Sequence, residues 1–117
     1  MFNVWDSVNK NSIVAAVLDG LRRWCPDQPS WFMERTPCGY RDPAIIRADL
    51  VAGGFSDCRI EKVVLCGHAA SPMAIALGLC QGSPMRAEIE ALDPTGLQEA
   101  TQSCLSAEGN PDHDIVR

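Results

Sequence analysis

Ile13, Val14, Val17, Leu18, Leu21 and Trp24 recur at three- and four-residue spacing, while Asp19, Arg22 and Arg23 fall on the opposite side. That is the period of an amphipathic helix, and it predicts one over residues 12–24. Asn11 or Ser12 can cap its start, and Pro26 ends it. Further on, one device repeats. Asp42-Pro43, Ser71-Pro72, Ser83-Pro84 and Asp93-Pro94 each set a capping side chain directly before a proline. The side-chain oxygen takes an orphan amide, and proline supplies a helical φ without needing a donor of its own. Four more helices follow from it, at about 43–52, 72–81, 84–92 and 94–107. The first stops at Gly53-Gly54, which can take the left-handed closing conformation. The second, Met73 to Cys80, is apolar all round and is expected to be buried. The third pairs Arg86 with Glu90 outside and turns Met85, Ile89 and Leu92 inward. The fourth gathers Leu97, Ala100, Cys104 and Leu105 on one side.

Residues 26–43 read as a loop holding one helical turn at 30–35. Between the helices lies one strand pattern, Cys58-Arg-Ile-Glu-Lys-Val-Val-Leu-Cys66. Its first half alternates and its second half is apolar on both faces, as for a strand passing from a solvated edge into a covered region. Phe2–Trp5 and residues 113–117 are shorter candidates, each cut by a chain end. The expectation is one α/β domain over 1–117, mostly helical, with a small mixed or antiparallel sheet of about three strands. Two clipped strands make such a sheet marginal and leave edges open to another chain.

Composition narrows the partners. The 117 residues carry 10 basic and 15 acidic side chains, a net charge of −5. Only two lysines are present, Lys10 and Lys62, and the arginines are scattered, so no footprint for nucleic acid is expected. No apolar run has the ~20 residues a bilayer span needs, and the first residues lack a secretion signal, so the expectation is a cytoplasmic chain without membrane contact. In that compartment the six cysteines are expected as thiols rather than disulfides.

Little here carries chemistry. There is no G-x-G-x-x-G and no P-loop to hold a phosphate or a cofactor. Gly78 and Gly82 form G-x-x-x-G, which in a short apolar helix means close helix packing. No C-x-x-C is present, so no metal is expected. Cys66-Gly67-His68 reads as a strand end followed by a turn, and His113, between Asp112 and Asp114, as a solvated tail or strand start. The best candidate site is aromatic. Trp31, Phe32 and Tyr40 share one loop and, with Trp5 nearby, can wall an apolar pocket. The competing reading is that they cover the core where the loop crosses it.

The ordered phrases Phe2-Asn-Val-Trp-Asp6, Pro26-Asp-Gln-Pro, Phe32, Gly39-Tyr-Arg-Asp-Pro43, Gly-Gly-Phe55 and the run 58–66 resemble the carboxyl-terminal part of class I S-adenosylmethionine-dependent methyltransferases. Cys80-Gln-Gly-Ser-Pro-Met-Arg-Ala-Glu88 is similar to a helical insertion of some small-molecule members. The resemblance implies a fifth strand ending at Phe2–Trp5, a sixth at 58–66 and a seventh beginning at 113–117. It also implies that the cofactor half is missing, so no cofactor and no catalytic residue is carried over. By position it makes Trp5, Asp6, Trp31, Phe32 and Tyr40 acceptor-side, substrate-binding residues.

Three functions follow as expectations. One is a non-catalytic methyltransferase-like fragment that self-associates as a homodimer or higher oligomer. Another is an acceptor-side subunit that completes an enzyme with a partner carrying the cofactor-binding domain. The last is a small-molecule binding module built on the loop 31–40.

Overall fold

The computed structural model describes residues 1–108. Among them the chain is helical and holds no strand. A 3-10 turn at Val8–Lys10 precedes α1 (Ser12–Trp24), α2 (Phe32–Arg35), α3 (Pro43–Ala52), α4 (Pro72–Gln81), α5 (Met85–Leu92) and α6 (Leu97–Glu108). No helix among these residues is long and apolar enough to cross a membrane.

The starts of α3, α4 and α5 follow the proline device, whereas Asp93-Pro94 opens a turn and α6 begins three residues later, at Leu97. Asp42 accepts the Ala44 amide at 2.9 Å, Ser71 that of Ala74 at 3.1 Å, Ser83 that of Met85 at 3.2 Å and Asp93 that of Thr95 at 3.0 Å. Neither Asn11 nor Ser12 caps α1 with its side chain. Asn11 instead donates to the carbonyls of Asp6 and Ser7 and ties the 3-10 turn to the helix. At the other end of α3, Gly54 has φ +91°. Phe55 N–H donates to Leu50 and Gly54 N–H to Val51, the paired bonds of a Schellman stop.

The core is made by α1, α4, α5 and α6, with Trp31 inserted from the loop before α2. Val17, Leu18, Leu21, Trp31, Met85, Ile89 and Cys104 are fully buried. Removing such a side chain from water contributes about 1.5–3 kcal/mol each for the larger aliphatics. The tightest contact is between backbones. A Cβ on Gly20 would lie 2.4 Å from Cys104 Cα, so α1 and α6 touch without a side chain between them. Ser103 Oγ donates to the Gly20 carbonyl at 2.6 Å across this crossing. Close packing was expected at Gly78 and Gly82, but a Cβ at Gly78 would meet nothing within 4 Å. Gly82 sits at the end of α4, against the Gly78 carbonyl.

Several expectations are corrected. The α/β fold with about three strands is not formed by the described residues. Phe2–Trp5 is exposed coil, 58–66 has no regular structure, and 113–117 lies outside the described residues. A strand exists through hydrogen bonds to a neighbour, and the described residues set none beside 58–66. Helix α4 is not buried all round either. Ile75, Ala76 and Cys80 face inward while Met73 and Leu77 are exposed. Leu92, expected inward on α5, is exposed as well.

Candidate functional site

Beyond the Schellman stop the chain leaves the core. Residues 56–70 run without regular structure, and 61–70 are exposed throughout. Val63, Val64 and Leu65 expose 70%, 82% and 85% of their surface, the largest values after Met1 for large apolar side chains among the described residues. Among the described residues, no backbone group of 58–66 pairs with another backbone group. The run is held by side chains instead. Arg47 Nη1 donates to the Cys58 carbonyl at 2.8 Å, Arg59 pairs with Glu61, and Lys62 Nζ lies 3.5 Å from Asp6. A pair at i and i+2 is what an extended backbone allows, since alternate side chains share a face. A β-branched, apolar run with a free row of donors and acceptors is a template for strand addition.

The helix that leads into this run is equally bare. Of α3 only Ile46 is buried, while Ile45 and Val51 are exposed. Its outer side forms a shallow apolar concavity lined by Pro43, Ala44, Arg47, Ala48, Val51 and Ala52.

The five residues expected to bind an acceptor do not meet in one place. Trp31 is fully buried in the core, its ring centroid 6.5 Å from that of Trp24. Its indole Nε1 has no hydrogen-bond partner among the described residues. A buried N–H left so costs about 1–3 kcal/mol, which the buried ring offsets. Phe32 is half-buried against the same core. Trp5 is exposed on the amino-terminal segment. Asp6 accepts the Ser7 amide at 2.7 Å. That bond, with Lys62 and Lys10 nearby, holds its carboxyl below the usual range. Tyr40, at the protein surface, donates its hydroxyl to Asp49 of α3 at 2.6 Å, and this bond pushes the phenol above its ordinary value. Trp31 thus serves as core, as the competing reading of the loop had it.

What the sequence did not signal is the clasp around α2. Glu34 accepts the Trp31 amide at 2.8 Å and pairs with Arg22 of α1. Glu88 of α5 accepts the Phe32 amide at 2.7 Å and pairs with Arg35. Each carboxylate takes one orphan amide of the short helix and one guanidinium. The Glu88 part joins residues 56 apart, beyond the reach of local pattern. Of these charges, Arg22 and Glu34 line a polar concavity of about 400 Å³ with Ser7, Asn9, Asp19 and Arg41. Because Arg22 is already paired with Asp19 and Glu34, they leave it no unspent charge for a substrate.

No group of three or more metal-ligating side chains occurs among the described residues. Cys66 and His68 both lie on the exposed run, and His113 lies outside the described residues. Burial pushes the Cys38 thiol up, away from the reactive thiolate. No family model, curated protein or solved structure matches the chain.

Proposed function

We propose that this chain is an association protein without catalytic machinery of its own, and that it self-associates through residues 58–66. One observation carries the reading: a strand-patterned run with no backbone–backbone pairing among the described residues, whose Val63, Val64 and Leu65 side chains face solvent. Exposed apolar faces on α3 (Ile45, Val51) and α4 (Met73, Leu77) add surface that a neighbour would cover. The methyltransferase likeness adds no activity to this reading, because the sheet it implies is not formed by the described residues.

The experiment is light scattering at micromolar concentration on the full chain. A dimer or larger species is expected, and Val64→Asp should shift it to monomer with unchanged helical circular dichroism. A wild-type monomer that still unfolds cooperatively ends the reading. Calorimetry with S-adenosylmethionine should show no heat of binding, and micromolar affinity would overturn the non-catalytic part. A second reading draws on the same unpaired row: addition of 58–66 to the open sheet edge of a partner carrying the cofactor half. A wild-type monomer that copurifies with such a partner would favour it over self-association.

A further inference from the structure

Which pairing the run adopts follows from symmetry and from the side chains it carries. A two-fold pair of antiparallel strands must centre on one residue, because the axis stands perpendicular to the ribbon and returns each face to itself. Centring on Glu61 sets that carboxylate opposite its own copy and Ile60 opposite a lysine. Centring on Val63 sets Lys62 opposite Val64 and Glu61 opposite Leu65, and leaves Cys58 and Arg59 with no opposite residue inside the run. Centring on Lys62 is the choice that overlaps the whole run. It sets Lys62 opposite its own copy, Glu61 opposite Val63, Ile60 opposite Val64, Arg59 opposite Leu65, and Cys58 opposite Cys66 of the second copy.

The like charges on that axis have a remedy already in place. Each Lys62 Nζ lies 3.5 Å from its own Asp6, whose carboxyl also accepts the Ser7 amide. Two ammonium groups therefore arrive at the axis with two carboxylates, and the centre is neutral. Glu61 has Arg59 on its own strand. The apolar pairs are β-branched on both sides, which suits a pleated ribbon.

We infer that two copies of this chain pair antiparallel over residues 58–66 with the symmetry axis at Lys62, bringing Cys58 of each within disulfide reach of Cys66 of the other. The inference rests on the self-association reading and adds its geometry. It commits to a second copy because the charge balance at the axis is supplied by this chain itself.

Cysteine cross-linking tests it. Cys58 is half-buried and Cys66 exposed, so a small-molecule disulfide oxidant reaches both in the folded protein. Oxidised wild-type chain should give a covalent dimer, with Cys58 joined to Cys66 in the peptide map. Cys58→Ser and Cys66→Ser should each lose that dimer. Mixing the two variants should restore it, since each supplies the cysteine the other lacks. A Cys58→Ser protein that still cross-links through Cys66 alone would overturn the register. So would a mixture that stays uncross-linked while light scattering reports a dimer; in both cases self-association itself stands. A monomer by light scattering removes the register and the reading together.

Discussion

The four-helix core and the arm formed by α3 and residues 54–70 come from one chain with similar apolar content, yet they are built on opposite terms. In the core Val17, Leu18, Leu21, Met85 and Ile89 are fully buried between helices, and α1 and α6 approach until their backbones touch at Gly20. In the arm Ile46 is the one buried residue of α3, and the apolar run Val63–Leu65 stands in solvent. Apolar sequence is thus not enough to make interior. What differs is whether a partner surface stands at the right place, and among the described residues none covers the arm.

Substitutions can break this comparison. The largest effect is expected at Gly20→Ala, where the new Cβ has only the backbone of Cys104 and Ser103 to meet. Backbone cannot swing aside as a side chain does, and a loss of about 3 kcal/mol or more is expected in urea unfolding. Gly78→Ala, on the open side of α4, should instead gain about 0.5–1 kcal/mol, since helix propensity alone changes. If both glycines respond alike, the tight crossing is misplaced.

Ile89→Ala in the core should cost about 2–5 kcal/mol. Val64→Ala in the arm should stay within about 0.5 kcal/mol in the monomer. Equal losses at the two sites would mean the arm is packed after all. A smaller step is Asp42→Ala, which removes the α3 cap at a cost of about 1 kcal/mol to that helix. Because α3 is barely attached, the loss should appear as faster amide exchange in 44–52 with little change in global unfolding.

The smallest effect is electrostatic. Tyr40 is the single tyrosine, so its ionisation can be followed by absorbance. Its hydrogen bond to Asp49 raises the folded value, and the folded protein therefore holds a proton that the unfolded chain has released. The stabilisation is complete below the ordinary tyrosine value of about 10 and fades as pH climbs through the raised one. Asp49→Asn should bring the titration midpoint down. An unchanged midpoint would remove the bond that holds the arm to the loop at this point.

Helix positions were legible in the sequence to within a residue or three because their signals are local. Asp42-Pro43 and Ser71-Pro72 each hold both the cap and the first helical residue in two letters. The sheet was illegible for the opposite reason. The run 58–66 has the right pattern for a strand, but a strand also needs a neighbour, and pattern does not say whether one is present. Helix contacts show the same limit. Gly78 and Gly82 carry the spacing of a packing motif, while the actual close approach is at Gly20, in a helix where nothing marks it. Trp31 was read on a loop with Phe32 and Tyr40, and the loop's path sends it inward beside Trp24. Adjacency in sequence placed the three together, and backbone direction separated them.

The crossing at Gly20 also bears on how the protein is made. Its partner, Ser103, lies 83 residues later in the chain. On the ribosome α1 therefore emerges and waits, at ~5–20 residues per second, for several seconds before the helix that shields its apolar stripe exists. Closing so distant a contact is slow for an all-helical protein, whose contacts are mostly local. During that interval the nascent chain displays Val17, Leu18 and Leu21 to whatever chaperone attends it, and folding completes from its last helix backwards to its first.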